Sequence, residues 1–86
     1  MVEELWMIEE HLAQAERHVL EGTRHLIDQR DILAELERDG HDTAMARELL
    51  STFEASLALH VIDRDRLLGE KREAMEVEKQ VAKRKR

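Results

Sequence analysis

The chain has 86 residues with no proline and no cysteine; 40% of its residues are charged and 2% are aromatic. This length allows one domain, and the composition is typical of long helices rather than of a sheet. Without cysteine, neither a disulfide nor a thiolate metal site can stabilise the fold. A lone pair of helices of this size buries little apolar surface, and such scaffolds usually oligomerise.

The net charge of −6 is distributed unevenly. Residues 1–39 hold eleven acids and four bases, whereas residues 40–86 hold nine acids and ten bases. Because the acidic body repels phosphate, we do not expect a general nucleic-acid binder. No apolar run reaches the ~20 residues of a membrane span, and the first residues lack the basic-then-apolar form of a secretion signal. The expected location is cytoplasmic.

The first half of the chain keeps an apolar rhythm of alternating three- and four-residue steps from Leu5 to Leu36. This heptad pattern predicts a helix over about residues 2–39 with a coiled-coil-like seam. The seam positions are Leu5, Ile8, Leu12, Ala15, Val19, Gly22, Leu26, Gln29, Leu33 and Leu36. Its middle is small or polar, so either a second helix approaches closely there or a bulky partner side chain fills the space.

Gly40 marks the end of this helix, since glycine readily takes the left-handed conformation that terminates helices. Asp42 can accept hydrogen bonds from the free N–H groups of a new helix, with Thr43 as the rival cap. A stop and a start this close predict a tight turn at 40–42 and a second helix over about 43–80. The expected fold is therefore all-α, an antiparallel two-helix hairpin spanning residues 1–82.

The apolar stripe of the second helix drifts, because its spacing is nearer 3.6 than 3.5 residues. The stripe comprises Ala46, Leu49 or Leu50, Phe53, Leu57, Val61, Leu67 or Leu68, Ala74 or Met75, and Val81 or Ala82. A turn at Gly40 and His41 predicts that position i faces position 82 − i. This register sets Leu12 near residues 67–70 and His60 opposite Gly22. We expect the basic residues 83–86 to fray beyond the first helix.

A second apolar stripe runs beside the seam of the first helix, about 100° further round: Trp6, Ala13, Leu20, Ile27 and Ala34. One partner helix does not readily cover both stripes. The stripe could be a few ordinary exposed apolar residues, but burial against a second hairpin explains it better. We therefore expect a homodimeric four-helix bundle, or docking onto another protein. The predicted interface residues are Trp6, Leu20, Ile27, Leu50, Leu57 and Leu59.

The stretch from about His18 to Leu68 resembles a group of small bacterial helical-hairpin proteins. The resemblance rests on Glu-Gly-Thr-Arg-His, Leu-Glu-Arg-Asp-Gly-His-Asp-Thr, Ala-Arg-Glu-Leu-Leu and His-Val-Ile-Asp-Arg-Asp-Arg-Leu-Leu. It covers over half of the chain. It implies a helical hairpin of bacterial, cytosolic origin, and it implies no activity, cofactor or catalytic residue.

Histidines recur every seven residues at 11, 18 and 25 beside the seam. Imidazoles and carboxylates that project into a bundle can form a metal or haem site, and the candidate ligands are His18, Glu21, His25 and His60. However, the chain lacks the Glu-x-x-His pattern of carboxylate-bridged metal pairs, and histidines seven apart on a helix are ~10 Å apart. The simpler interpretation is that these imidazoles half-cover the seam, and no cofactor is expected.

No residue pattern predicts catalysis. The few hydroxyl residues lie outside any glycine-rich elbow, and two helices offer no water-excluding pocket. The tail from Lys83 could contact nucleic acid or an anionic membrane, although cations at a helix C-terminus also complement the helix dipole. The function expected from the sequence is a small helical interaction module with an adaptor, regulatory or structural role. The alternatives are a metal- or haem-binding bundle and a nucleic-acid-associated protein that uses the tail.

Overall fold

The computed structural model describes residues 4–84, which form two α-helices with no strand. Helix α1 spans Leu5–Arg38 and helix α2 spans Ala44–Arg84. Together they make an elongated body of 71 × 17 × 14 Å. The all-α class and the two-helix hairpin are as expected.

The helix bounds differ from the predicted ones mainly at the far end of α2. The helix continues to Arg84, where the sequence predicted an end at about residue 80 and a frayed tail. Lys83 and Arg84 lie in its last turn, and their cations complement the negative end of the helix dipole. Positions 2–3 of the predicted first helix and 85–86 of the predicted tail lie outside the described residues.

Helix α1 ends in a Schellman motif built around Gly40. Gly40 has φ +71°, so its predicted left-handed conformation is confirmed. The His41 N–H donates to the Leu36 carbonyl at 2.9 Å, and the Gly40 N–H donates to the Glu37 carbonyl at 3.3 Å. These two bonds satisfy carbonyl groups that the end of a helix otherwise leaves free.

Helix α2 begins with the predicted cap. The Ala44 N–H donates to Asp42 Oδ1 at 3.0 Å, while the Thr43 carbonyl accepts from the Arg47 N–H at 2.9 Å. The Arg47 guanidinium also donates to the Glu37 carboxylate across the turn. The turn is therefore stabilised at the end of α1, at the start of α2, and by an ion pair that joins the two helices.

The predicted seam of α1 is confirmed, since each of its ten positions is buried or half-buried. Helix α2 also has buried or half-buried residues at alternating three- and four-residue steps. They are Ala46, Leu50, Phe53, Leu57, His60, Arg64, Leu67, Lys71 and Ala74. Three of these nine are polar or charged: His60, Arg64 and Lys71. Helix α2 therefore contributes a regular heptad seam. The spacing of its apolar residues alone had predicted a stripe that drifts around the helix.

Contacts between the helices run in opposite sequence order. The Gln29 side chain reaches the Ala46 carbonyl, the Gly22 backbone meets Leu57, and the His18 ring lies beside that of His60. Further along, Leu12, Ala15 and Leu67 form one buried cluster, which agrees with the predicted position of Leu12.

The predicted register is wrong at Gly22, which faces Leu57 rather than His60. A Cβ placed at Gly22 would lie 3.2 Å from Leu57 Cδ1 and 3.9 Å from Leu57 Cα. The helices thus come close together where α1 has no side chain, and the branched end of Leu57 packs against this position. Side-chain fit sets the register here, whereas counting outward from the turn puts the facing residue three positions too far along α2.

The core is thin. Among the described residues the buried hydrophobic side chains are Ile8, Leu12, Ala15, Leu26, Leu67 and Ala74. Gln29 is the buried polar residue, 5% exposed, and its amide donates to the Ala46 carbonyl at 3.0 Å. A polar group in a helix seam favours one register, because any other leaves it buried without a partner.

Substituting Gly40 with valine should lower the free energy of unfolding by about 1–2 kcal/mol, because a β-branched residue is strained at positive φ. Nothing lies within 4 Å of a Cβ at this position, so the loss would reflect backbone strain alone. Asparagine tolerates this conformation better and serves as the control. Thermal unfolding followed by circular dichroism measures both variants, and an unchanged valine melt would contradict the turn geometry.

Gly22 and Gly69 form a second matched pair. Gly22→Leu should lower the free energy of unfolding by about 1–3 kcal/mol, since the added side chain must separate the helices or displace Leu57. Gly69 faces open space, so Gly69→Ala should raise it by roughly 0.5–1 kcal/mol through helix propensity. Chemical denaturation measures both changes. Equal effects at the two glycines would show that the helices do not meet at Gly22.

Candidate interaction surface

Two side flanks of the hairpin can be told apart by contacts between the helices. On one side, Glu37 of α1 is paired with Arg47 of α2. On the other, His11 and His18 line a shallow cleft with Asp63. Residues seven positions apart lie on the same face of a helix. Each of these contacts therefore shows on which flank the residues at seven-residue steps from it lie.

The flank marked by the Glu37–Arg47 pair carries the second apolar stripe. Ala34 precedes Glu37 by three residues and Ile27 precedes Arg30 by three, so the stripe adjoins this row along α1. Seven-residue steps from Arg47 along α2 lead through Glu54 to Val61, Leu68 and Met75. Ala58 adjoins this row, since it precedes Val61 by three residues. We name this surface the apolar flank; it comprises Trp6, Ala13, Leu20, Ile27 and Ala34 of α1 with Ala58, Val61, Leu68 and Met75 of α2.

The large residues of the α1 stripe are exposed. Trp6 and Leu20 are each 61% exposed and Ile27 is 53% exposed. On α2, Met75 is 51% exposed, while Leu68 is half-buried and packs against the buried cluster of the seam. The apolar surface thus continues from the core out to solvent on this side of the hairpin.

The other predicted interface residues lie elsewhere. Leu57 is half-buried against Gly22, and Leu50 is a half-buried seam position. Leu59 is 68% exposed, but it precedes Asp63 by four residues and Arg66 by seven. Leu59 therefore lies on the side of the cleft, which we name the histidine flank, opposite Trp6, Leu20 and Ile27.

The histidine flank is mixed, since the exposed side chains of Ile32 and Leu59 lie on it beside the histidines. The rings of His18 and His60 lie with their centroids 5.0 Å apart, and those of His25 and Phe53 lie 5.7 Å apart. Asp63 lines the same cleft as His18. The imidazoles flank the seam at successive levels along the hairpin rather than converging on one point.

Arg66, which lines this cleft, is held by two acidic side chains. The Arg66 guanidinium donates to Asp63 and to Glu70, both at 2.8 Å. The hydrogen bond to Asp63, followed by the charge of Glu70, raises the pKa of Arg66 above its ordinary value. Because arginine is protonated throughout the physiological range in any case, these pairs position the guanidinium and do not create a titrating group.

The described residues contain no group of three or more histidine, aspartate or glutamate side chains that could hold a metal ion. The four candidate ligands are divided, since His18 lies beside His60 whereas His25 lies beside Phe53. The arrangement therefore does not supply the three or four converging ligands of a zinc site.

No family model, curated protein or solved structure matches the chain. The resemblance to small bacterial helical-hairpin proteins therefore stays a prediction. Across residues 4–84, neither helix contains a segment apolar and long enough to cross a membrane.

Replacing His18, His25 and His60 together with glutamine should leave the helicity and assembly of the protein intact. Glutamine keeps a polar group of similar reach beside the seam. The described residues contain no metal site that these substitutions would remove. Circular dichroism and elemental analysis of protein purified with added zinc check both expectations. Stoichiometric zinc in the wild type that disappears in the triple variant would establish the metal-binding alternative.

Proposed function

We propose that the protein is a small helical interaction module in which two antiparallel hairpins associate through their apolar flanks into a four-helix bundle. Its role is to bind and organise rather than to catalyse, as an adaptor, a regulator or a structural element. The cytosolic location expected from the sequence belongs to the same proposal.

The observation that carries this proposal is the exposed row of Trp6, Leu20 and Ile27 on one flank. A large apolar surface left exposed on a protein commonly marks a binding site. Tryptophan is also among the residues most enriched in the energetic centres of interfaces. The opposite flank is mixed, since it exposes Ile32, Leu49 and Leu59 as well. There the apolar side chains alternate with histidines, Asp63 and Arg66, whereas those of the α1 stripe on the apolar flank follow one another without a polar residue between them.

The thin core gives the second support. An isolated hairpin of this length gains little from burial, and only six hydrophobic side chains among the described residues are buried. Association would add the partly exposed stripe and Met75 to the buried surface. The antiparallel arrangement is supported by the opposite order of the contacts Gln29–Ala46, Gly22–Leu57 and His18–His60.

The decisive variant carries Leu20→Glu and Ile27→Glu. Burying a leucine or isoleucine side chain fully is worth ~1.5–3 kcal/mol, and two buried carboxylates without partners would oppose association further. We therefore expect the wild type to be a dimer at micromolar concentration and the double variant to be a monomer with reduced helicity. Light scattering and circular dichroism at equal protein concentrations measure these two properties.

Leu59→Glu is the matched control, because Leu59 is similarly exposed but lies on the histidine flank. It should leave the dimer intact. A wild type that is monomeric at high micromolar concentration would rule out the homodimer, and the apolar flank would then have to bind a different protein. Loss of the dimer in Leu59→Glu alone would move the interface to the opposite flank.

A further inference from the structure

Resting on the proposed homodimer, we infer that α1 of each hairpin packs against α2 of its partner, with both hairpins pointing the same way. Two hairpins that stack through their apolar flanks can be related by a twofold axis that runs along the helices, parallel to them, or by one that runs across the helices, perpendicular to them. An axis along the helices sets α1 over the partner's α2. An axis across them sets α1 over the partner's α1 in the opposite direction.

Charge favours the first arrangement. Helix α1 holds eight acids and four bases, whereas α2 holds eight acids and eight bases. Setting α1 on a second α1 brings two negatively charged helices together, and like charges facing each other at an interface oppose association. Setting α1 on α2 leaves every α1 with α2 helices as its neighbours, one within its own hairpin and one from the partner.

The cations of α2 lie where this arrangement needs them. Arg72 and Lys79 line a groove with Leu5 and Met75 at the open end of the hairpin, and Glu76 and Glu78 line it as well. Glu9 lines the neighbouring groove with Trp6 at the same end. In hairpins that point the same way, this acidic edge of α1 lies over the part of the partner's α2 that carries these two cations. When the twofold axis runs across the helices, the acidic edge of α1 lies over the partner's turn instead.

The twofold axis also fixes the register. A closed twofold along the helices rotates the partner without sliding it, so each α1 residue faces the α2 residue at its own height. His18 lies level with His60, Gly22 with Leu57, and His25 with Phe53. A residue of α1 and a residue of α2 therefore lie at the same height along the hairpin when their residue numbers add up to 78 or 79.

Applied to the apolar flank, this rule pairs large side chains with small or complementary ones. Leu20 falls opposite the partner's Ala58, and Ile27 falls opposite the partner's Ser51. Trp6 falls opposite the partner's Arg72, whose guanidinium can stack on an indole ring. Large side chains over small ones allow two helix faces to interdigitate. The alternative arrangement sets the large residues of one stripe against a second copy of the same stripe.

Because the chain has no cysteine, engineered disulfides test the arrangement directly. We expect Leu20→Cys with Ala58→Cys in one chain to give mostly covalent dimer on oxidation. Ile27→Cys with Ser51→Cys is an independent second pair with the same expectation. Leu20→Cys alone should give little covalent dimer, because the two copies of this position lie on different α1 helices that do not meet. Leu20→Cys with Leu59→Cys, whose second site is on the histidine flank, should also give little.

Non-reducing electrophoresis measures the covalent dimer, and light scattering under reducing conditions measures the non-covalent one. Dimers that crosslink efficiently through Leu20→Cys alone, but not through either cross-helix pair, would overturn this inference and leave the homodimer standing. A monomeric wild type would instead overturn the homodimer itself, so the two failures are distinguishable.

Discussion

The close approach of α1 and α2 at Gly22 is the constraint on which the rest of the hairpin depends. A glycine in a helix interior costs roughly 1 kcal/mol relative to alanine, so its presence there needs a packing reason. Leu57 supplies one, because its Cδ1 would lie only 3.2 Å from a Cβ at position 22. Once these two residues are matched, the levels of His18 against His60 and of His25 against Phe53 follow along the same pair of helices.

Gln29 holds the same register nearer the turn. Its amide is buried and donates to the Ala46 carbonyl, and no buried side-chain polar atom among the described residues is left without a hydrogen-bond partner. Sliding α2 by one residue would leave this amide buried and unpaired, at a cost of about 1–3 kcal/mol. A small residue and a polar residue in the seam therefore give it specificity, where larger apolar residues would have given more stability.

The sequence predicted the parts of the fold that depend on local chemistry. The heptads of α1, the left-handed Gly40 and the Asp42 cap each follow from one short stretch, and each is present. The seam of α2 was harder to predict, because His60, Arg64 and Lys71 take heptad positions that an apolar stripe cannot reveal. Long polar side chains can shelter their stems along a seam while their charged ends stay near water.

Properties that depend on the meeting of the two helices were predicted less well. Counting from the turn misjudged the residue that faces Gly22, since side-chain fit decides that contact. The predicted interface contained Leu57 and Leu59 because both are apolar, yet Leu57 lies in the seam and Leu59 on the histidine flank. Assigning an apolar residue to one flank requires knowing which positions of α2 face α1, which the drifting stripe left undefined. For α1, whose heptads were clear, the exposed stripe was placed correctly.

The thin seam couples the stability of the proposed module to its assembly. Leu68 packs against the buried cluster of Leu12, Ala15 and Leu67, and it also belongs to the apolar flank. Residues at that flank would therefore stabilise the seam and the dimer together. Association then contributes to folding by mass action, so the stability of the hairpin should rise with protein concentration. Such coupling suits an interaction module, because binding a partner then also stabilises the hairpin that presents the binding surface.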